Sequence, residues 1–581
     1  MFNLSRHFKI IFILFLIAVF LSVIFLLFRF LNLPPQHLDQ NYQKKSEILV
    51  SGIVPHHLLA NDIIDNFFKE LINHQPELIF LISPDHFNQN SFHLSQIITD
   101  KNGVNILSSK KLAIDETAIQ HDHGITNLLP YFKKYLPQAE VVPILLASWI
   151  SQSEAEQLVN DITLAFPNKN KAVIASVDFS HYLSETALLF HDEKSIRVLN
   201  NFEIDKFNKI DVDSSMALYA CRLFAFNQQL NKIKLINHKT SFDYPQNTLE
   251  TELLDKEGGT SYYSVIYQKE GGINIEKSEV QTFLFVGDLM LGRGVSREVE
   301  ANGNSYLFQN IKYLSRGADE IVGNLEGPII APASEIPNQS LNFGFPPEVL
   351  NWLKDFNFTA LSLANNHIND RGLNGFNQTK KYLTEKGIKV LGDLNKCDLS
   401  ALTKIRDHFY ILAINLTFPN KNQCLKEAVS AIQSFKKESP QDIVIVMPHW
   451  GEEYQIKSSS FQKQAAHQLI DAGADLIIGS HPHVIQEIED YNGRLIFYSL
   501  GNFIFDQYFS SETQEHLAVG VVFSDNDRRF YLIPLKSQKS QLQFMSPEEE
   551  KEALNELAQK SSLSLQSAIL DGKIIKRLKD Q

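Results

Sequence analysis

Six apolar runs between residues 281 and 535 each lead directly into polar residues, and this repeated pattern restricts the fold more than any other feature. The runs alternate with amphipathic stretches, which is typical of parallel strands covered by helices. Ligands of open α/β sheets collect at the carboxyl ends of the strands, so the residues that follow the runs are candidate site residues. They are Asp288; Asn324 and Glu326; Asn365, Asn366, His367 and Asp370; His449; His481 and His483; and Asn502 and Asp506.

These strand ends together predict a metal site. One polar cluster after a strand is usually a turn, but six of them offer a mixed set of carboxylate, amide and imidazole groups at one sheet edge. Such a set suits Mn, Zn or Fe better than Ca, which prefers oxygen ligands alone.

The motifs GDLMLGR, NLEGP, ANNHINDRG, PHWGEEY, GSHPHVIQ and YSLGNF resemble those of the CapA family and occur in that family's order. The resemblance implies a role in capsule or poly-γ-glutamate synthesis or export. It also implies a fold similar to the calcineurin-like metallophosphoesterases, an α/β sandwich of two sheets flanked by helices. The chemistry implied is metal-assisted hydrolysis or transfer of a phosphoester or related bond, with one or two cations activating a water molecule.

The family motifs also assign roles to individual residues. The metal ligands that the resemblance implies are Asp288, Glu326, Asn366, His449, His481 and His483. His367 is implied as the acid that protonates a leaving group, and Asp288 stands with it among the catalytic residues. Arg293 and Asn365 are predicted to bind substrate, although Arg293 could equally be an ordinary surface arginine. Phosphoesterases commonly have a histidine where this chain has Met290, so a single-metal site and a binding domain without turnover both stay open.

Residues 47–268 contain a second series of apolar runs that end in histidine or aspartate, in the segments IVPHH, SPDHF and SVDFSHY, together with a separate HDHG segment. Their order resembles the Memo family, also named AmmeMemoRadiSam system protein B, whose fold is similar to the LigB-type extradiol dioxygenase subunit. The fold predicted for the whole chain is therefore α/β. It comprises an N-terminal transmembrane helix, a LigB/Memo-like α/β domain and a calcineurin-like metallophosphoesterase α/β sandwich.

The Memo resemblance implies a second metal site formed by His56, His86 and Asp213, suited to Fe or Zn. Asp213 falls where the family has a cysteine, while Cys221 lies inside a predicted helix and is not assigned that role. Further pocket positions are His57, His123, Asp178 and His181. A pocket without activity and a metal-dependent redox site are both compatible with this resemblance, because a fold does not fix a reaction.

The stretch 10–28 has no charged residue over 19 positions, which predicts a transmembrane helix. A cleaved signal peptide competes with this interpretation, but the run is long and no A-x-A site follows it. We therefore expect an uncleaved single-pass anchor in the cell membrane, with the domains that follow it extracytoplasmic. The predicted divisions are the anchor 1–31, a linker 32–46, the Memo-like domain 47–268, a linker 269–280, the CapA-like domain 281–540 and a charged helical tail 541–581.

The net charge limits the kinds of binding partner, and the cysteine content limits the disulfides and metal sites that the chain could form. The chain of 581 residues has a net charge of −13, which argues against a nucleic-acid-binding surface. The expected partners are the membrane, an anionic cell-envelope polymer or its precursor, and other capsule-synthesis proteins. The three cysteines, Cys221, Cys397 and Cys424, show no paired spacing, so neither a disulfide framework nor a thiolate zinc site is expected.

Overall fold

Three β-sheets organise the part of the chain that the computed structural model describes, which comprises residues 49–87, 97–107, 112–245, 258–331, 341–394 and 396–578. One sheet belongs to the N-terminal half and two belong to the C-terminal half. All of these residues fall within one compact unit, 48–581. The fold is mixed α/β, with helices packed against the sheets.

The sheet of the N-terminal half has the order β10-β8-β9-β1-β6-β2-β5-β3-β4, and β7 pairs with β9. Its strands are β1 (Leu49–Val54), β2 (Leu78–Pro84), β3 (Ile97–Thr99), β4 (Leu112–Ile114), β5 (Glu140–Leu146), β6 (Lys171–Ser176), β7 (Phe179–Leu183), β8 (Lys232–Thr240), β9 (Gly259–Gln268) and β10 (Ile273–Asn274). Its helices are α1 (Asn61–Leu71), α2 (Lys101–Ile106), α3 (Glu116–His121), α4 (His123–Thr126), α5 (Leu129–Tyr135), α6 (Gln152–Leu164), α7 (Glu185–Asn201) and α8 (Ser215–Asn227). The central strands β1, β6, β2 and β5 are parallel and buried, as their continuous apolar sequences require.

The two sheets of the C-terminal half pack face to face. One has the order β14-β13-β12-β11-β22-β23-β24, with β21 on β11 and β25 on β23; the other has the order β15-β16-β17-β18-β20-β19. Side chains from both inner faces, such as Phe285 of one sheet and Ile445 of the other, share one buried core. This sandwich places the carboxyl ends of strands from both sheets near each other.

The elements of this half have the following bounds. The strands are β11 (Gln281–Leu289), β12 (Glu320–Leu325), β13 (Ala360–Ser362), β14 (Lys389–Leu391), β15 (Leu402–Arg406), β16 (Phe409–Asn415), β17 (Ile443–His449), β18 (Leu476–Ile478), β19 (Ile488–Tyr491), β20 (Arg494–Phe497), β21 (Asn502–Ile504), β22 (Glu515–Phe523), β23 (Asp527–Gln538), β24 (Gln541–Phe544) and β25 (Lys573–Arg577). The helices are α9 (Arg293–Asn302), α10 (Val349–Asp355), α11 (Gly372–Glu385), α12 (Lys421–Glu438), α13 (Ser460–Asp471), α14 (Pro547–Lys560) and α15 (Gln566–Leu570).

The last segment of the chain is part of the sandwich. Helix α14 begins with a capping box at Ser546 and buries Leu554 and Leu557 in the core that the two sheets share. Strand β25 then pairs antiparallel with β23 and buries Ile574. Residues 541–578 therefore add two strands as well as the helices that their charge pattern predicts.

The predicted transmembrane helix is not supported by the structure. In the described ranges, no helix is both long enough and apolar enough to cross a bilayer. The stretch 10–28, on which the prediction rested, lies outside the described residues. The fold prediction is corrected in this respect, and the prediction of a single-pass membrane protein is likewise not supported.

Helix α7 joins the two halves of the chain. Its residues Leu188 and Phe190 lie in the same apolar core as residues of the C-terminal half. The Lys194 ammonium donates to the carbonyls of Arg316 and Ala318 at 2.8 and 2.7 Å. Burial lowers the pKa of this ammonium to about 8. The halves therefore share buried polar contacts as well as an apolar core.

An ion pair lies beside these contacts. Arg197 Nη2 lies 2.8 Å from Asp319 Oδ1, and both side chains are almost fully buried. Asp319 also accepts a hydrogen bond from the hydroxyl of Thr282. Despite its burial, the pKa of Asp319 is held well below its usual range by Arg197. This pair ties α7 to the beginning of strand β12.

The expectation of no disulfide is wrong. Cys397 and Cys424 form a disulfide between residues separated by 27 positions. Cys424 lies in α12, and Cys397 lies in the segment between β14 and β15, which packs beside that helix. Spacing along the chain could not reveal a pair that only the fold brings together. Cys221, the remaining cysteine, is buried.

We predict that Arg197→Met lowers the free energy of unfolding of the whole chain by about 3 kcal/mol, because Asp319 keeps its burial and loses its closest cationic partner. Since α7 is buried against the C-terminal half, we expect the two halves to unfold in a single transition, measured by circular dichroism in denaturant, and the loss to appear there. Arg297→Met, which changes an exposed arginine of α9, is the control and should leave the midpoint unchanged. Two separate transitions in the wild-type chain would contradict the shared core.

We also predict that the double substitution Cys397→Ser and Cys424→Ser lowers the free energy of unfolding by about 3 kcal/mol, because the unfolded chain regains the freedom of the closed loop. The measurement is thermal unfolding with and without reductant. Reductant should lower the melting temperature of the wild type to that of the double variant and leave the variant unchanged. An equal response of both proteins to reductant would show that the disulfide does not form.

Candidate functional site

The carboxyl ends of five strands from both sheets of the C-terminal half meet at one place. Asp288 lies near the end of β11, and Glu326 directly follows β12. Asn366 follows β13, while His449 ends β17. His481 and His483 follow β18 in the segment SHPH. The structure thus brings together the six side chains that the sequence predicted as metal ligands.

One group of three ligands consists of Glu326, His449 and His481. Each offers an oxygen or ring nitrogen, and these three atoms lie within 4.8 Å of one another. The amide oxygen of Asn366 lies 2.7 Å from His449 Nε2, so it borders the same space. The rings of His449 and His481 are 4.7 Å apart between centroids. These four side chains form a candidate cation site of mixed nitrogen and oxygen ligands.

A second group consists of Asp288, Glu326 and His483, again within 4.8 Å of one another. His483 Nδ1 lies 3.3 Å from Asp288 Oδ2, and His483 Nε2 lies 3.7 Å from Glu326 Oε1. Glu326 belongs to both groups. Its carboxylate could therefore serve as a ligand in either group.

The hydrogen bonding of these groups tests whether a cation fits. Both carboxylate oxygens of Glu326 are buried and have no hydrogen-bond partner among the described residues, and the same holds for His481 Nδ1. Buried polar atoms in folded proteins are normally satisfied, and a buried carboxylate without a partner is costly. A bound cation would satisfy Glu326, so the residues present fit a metal centre.

Burial and neighbouring charges shift the pKa values of the site residues in opposite directions. Burial and the neighbouring Asp288 raise the pKa of Glu326 well above its usual value. Burial lowers the pKa of His449 well below its usual range and that of His481 to about 4. Burial alone would also lower the pKa of His483, but Glu326 and Asp288 raise it to about 9. Two histidines are therefore held neutral, which is the form that binds metals.

The SHPH segment has a strained backbone. His481 and His483 adopt φ values of 99° and 59°, in the left-handed region that non-glycine residues rarely occupy. The His481 N–H donates to Asp288 Oδ2 at 3.1 Å, and this bond holds the loop against β11. Such strain persists where the surrounding structure enforces it, often at functional sites.

His367, the predicted acid, faces the site from the side of β13. Its Nδ1 lies 2.9 Å from Asp370 Oδ2, and its Nε2 lies 4.0 Å from Glu326 Oε1. The ring stacks on Phe343 at 4.1 Å between centroids. Asp370 and Phe343 thus fix the ring so that Nε2 faces the carboxylate of Glu326. The roles of Asp370 and Phe343 were not predicted.

The two residues predicted to bind substrate are engaged elsewhere. Arg293 forms an ion pair with Asp506, and its guanidinium lies over the ring of Phe343 at 4.8 Å. Asn365 is buried, and its amide donates to Asn324 Oδ1 and to the carbonyl of Leu325. Both therefore stabilise the walls of the site in this structure, and their binding of substrate stays a prediction.

Several residues around the site were given no role from the sequence, although Asn324 and Asn502 were among the strand-end candidates. Ser480 Oγ lies 2.9 Å from His449 Nδ1, and Asn502 Oδ1 lies 3.0 Å from His483 Nδ1. Asn324 donates to Asp288 Oδ1 at 2.8 Å. Glu453 forms a further group with His481 and His483, within 4.8 Å. The signal for Glu453 was its position in the PHWGEEY motif, of which only the histidine was used.

The N-terminal half holds a second cluster at the carboxyl ends of β1, β2 and β6. Asp213 Oδ2 lies 3.5 Å from His56 Nε2 and 4.0 Å from His86 Nε2. The structure therefore brings together the three ligands predicted there. His123, predicted only as a pocket residue, completes another group with His56 and His86 within 4.8 Å. Asp178 also borders this cluster, because its Oδ2 lies 3.3 Å from His56 Nε2.

The second cluster also contains an unsatisfied carboxylate. Asp213 Oδ1 is buried without a hydrogen-bond partner among the described residues. Burial and the nearby Asp178 raise the pKa of Asp213 well above its usual value. His86 is oriented by Asp122, whose Oδ1 lies 2.9 Å from Nδ1, so Nε2 is left facing the cluster. Burial lowers the pKa of His56 to about 4. These residues also fit a cation.

The other residues predicted for this pocket lie at its edge. His57 is exposed, and its Nδ1 accepts a hydrogen bond from the Leu59 N–H. His181 is half-buried beside Asp178 and Asp211, and burial lowers its pKa. Cys221 lies in α8, and burial raises the pKa of its thiol to about 11. Because thiolates are the form that binds metals, Cys221 is unsuited to that role here.

The chain matches two protein families in succession. The family model described as "Bacterial capsule synthesis protein PGA_cap" matches residues 282–507. The model described as "Memo-like protein" matches residues 31–248. The first match covers the site that contains Glu326, and the second covers the site that contains Asp213.

Individual relatives agree with this division. The PGA biosynthesis protein CapA of Bacillus subtilis is 32% identical over 274 residues, which cover 44% of this chain and 72% of the relative. The capsule biosynthesis protein CapA of Bacillus anthracis is 31% identical, and the match covers 45% of this chain and 69% of the relative. A MEMO1 family protein of Caldivirga maquilingensis is 24% identical, covering 36% of this chain and 83% of the relative. The chain therefore belongs to the CapA family of capsule and polyglutamate synthesis proteins, with a Memo-like domain fused before its CapA-like half.

Proposed function

We propose that the C-terminal half is a metal-dependent enzyme that hydrolyses or transfers a phosphoester or related bond in a capsule or poly-γ-glutamate-type polymer, or in its precursor. The single observation that carries this proposal is Glu326. Its buried carboxylate has no hydrogen-bond partner among the described residues, and it belongs to two ligand groups at once. Such a carboxylate is the element expected of a bridged two-cation centre.

In this proposal, the residues of the site have separate roles in binding metal and in transferring a proton. Bound cations would polarise the scissile group and lower the pKa of a water molecule. Asp288, Glu326, Asn366 and the three histidines would hold these cations. His367 would deliver a proton from Nε2 to the departing oxygen, with Asp370 holding the ring in place from Nδ1.

The types of ligand atom in the site narrow the choice of metal. Imidazole nitrogens, carboxylates and one amide oxygen suit Mn, Zn or Fe, whereas Ca would prefer oxygen ligands throughout. A cation centre also attracts anionic groups, which supports an anionic envelope polymer or its precursor as the substrate. The names of the Bacillus relatives place those proteins in capsule and polyglutamate biosynthesis. The competing possibility is a domain that binds the polymer without cleaving or transferring any of its bonds.

We predict that the full chain loaded with Mn, Zn or Fe cleaves at least one member of a panel of phosphomonoester, phosphodiester and γ-glutamyl substrates. His449→Ala should lower kcat/KM at least about 100-fold, because it removes a ligand from the group that includes Glu326. It should also lower the metal content measured by mass spectrometry. His408→Ala changes an exposed histidine outside the site and serves as the control.

Two results would contradict the proposal in different ways. Bound metal without turnover on any substrate would favour a binding role for the same site. A chain that binds no metal in this half, with equal properties in the wild type and His449→Ala, would remove the metal centre altogether. Glu326→Gln separates these cases, because it should raise the stability of the metal-free chain and abolish the stabilisation by added metal.

We also propose a metal site in the N-terminal half, held by His56, His86 and Asp213. The distances of 3.5 and 4.0 Å from Asp213 to the two histidines support it, together with the unsatisfied oxygen of Asp213. Two histidines and one carboxylate form a ligand set typical of non-haem iron. Iron or zinc are therefore the candidate cations, and redox chemistry is one function that such a site could serve.

We predict that His86→Ala lowers the metal content of the full chain by one ion and alters the absorption spectrum of the chain loaded with Co or Fe. His121→Ala is the matched control from the neighbouring HDH segment, because His121 is exposed and its Nδ1 bonds to the carbonyl of Thr117. Identical metal content and spectra in His86→Ala and the wild type would exclude His86 as a ligand.

A further inference from the structure

The second ligand group of the CapA-like half is short of one protein ligand. Phosphoesterases of this fold commonly continue the first aspartate motif with a histidine, at the position of Met290. Met290 is completely buried and belongs to the apolar core around Leu289 and Leu291. Thioethers are soft ligands and are unsuited to Mn, which prefers oxygen ligands. Asp288, Glu326 and His483 are then the three side chains left for a cation in that group.

Glu453 lies where a further ligand could enter. It follows β17 by four residues, and a carboxylate oxygen lies within 4.8 Å of ring nitrogens of His481 and His483. The segment is held in place next to the SHPH loop, because the Tyr454 N–H donates to the carbonyl of Pro482 at 2.8 Å. Tyr454 has a φ of 63°, so the chain turns sharply directly after Glu453.

Charge favours a carboxylate at this position. Asp288 and Glu326 together carry fewer negative charges than two divalent cations carry positive ones. The remaining ligands, an amide and three histidines, are neutral when they bind metal. Glu453 would add a third negative charge, and it is exposed whereas Asp288 and Glu326 are fully buried. It therefore borders the solvent side of the site.

We propose that Glu453 is a ligand of the second cation, in place of the histidine that this chain lacks at Met290. This inference rests on the proposed metal centre of the CapA-like half. Asp288, Glu326 and His483 would hold the second cation, with Glu453 on the solvent side of the site. Glu326, Asn366, His449 and His481 would already give the first cation four protein ligands, so the loss of Glu453 should weaken the second cation more, although Glu453 also lies near His481.

The test measures manganese binding to the full chain in a His56→Ala background, because His56 belongs to both ligand groups of the N-terminal half. Equilibrium dialysis should give two ions per chain, and electron paramagnetic resonance should show an exchange-coupled pair. Glu453→Gln should retain one ion, weaken the second at least 10-fold, and lose the coupled signal. Glu453→His should restore both ions, since histidine can take the ligand position. Glu452→Gln, a change in the adjacent exposed carboxylate, should leave both ions unaffected.

Failure of the inference and failure of the metal centre give different results. Two ions and an unchanged coupled signal in Glu453→Gln would overturn the role of Glu453 and leave the metal centre intact. A single ion in both the wild type and Glu453→Gln would also overturn it. No ion in the His56→Ala chain would overturn the metal centre itself. Circular dichroism of each variant confirms that the fold is unchanged, so that lost binding reports the missing ligand.

Discussion

The buried carboxylate of Glu326 is the constraint on which the rest of the site depends. Ionising a buried carboxylate that accepts no hydrogen bond is costly, and the neighbouring Asp288 adds repulsion, so the pKa of Glu326 is raised although His483 Nε2 lies 3.7 Å away. A fold that maintains such a group must offset it through its remaining contacts or through a ligand. Glu326 shares one ligand group with His449 and His481 and another with His483. A cation bound among these side chains is the simplest way to stabilise its carboxylate.

The site exists only when the two sheets of the C-terminal half close on each other. Asp288 and Glu326 come from one sheet, whereas His449 and His481 come from the other, and the hydrogen bond from His481 N–H to Asp288 links them. Gly287 permits the close approach of β21, because a Cβ there would lie 2.0 Å from the carbonyl oxygen of Gly501. That approach places Asn502 beside Asp288 and in contact with His483. The glycine of the GDLMLGR motif is thus a packing requirement of the metal site.

The strand ends supplied the candidate residues, because the carboxyl ends of parallel strands lie on the same side of a sheet. They did not show that two separate sheets would share the site, or that Asp370 orients His367. They also did not include Glu453, which lies in the loop beyond β17. The pair Arg293–Asp506 was equally hidden, because its members are far apart along the chain. The same limit applies to the Cys397–Cys424 disulfide. Sequence patterns report local periodicity, whereas these contacts depend on tertiary packing.

The contact between the halves reaches close to the second metal cluster. His191 of α7 lies 3.5 Å from Asp211, and its Nε2 is 3.1 Å from the carbonyl of Leu314 in the CapA-like half. Asp211 is two residues before Asp213, the carboxylate of the N-terminal cluster, and it also lies 3.4 Å from Arg316. Residues of the CapA-like half therefore help to position the segment that carries Asp213. A Memo-like half separated from its partner would lose these contacts and expose the buried charges of Lys194 and Arg197. The two halves are therefore coupled through α7, and the position of the segment that carries Asp213 depends on contacts with the C-terminal half.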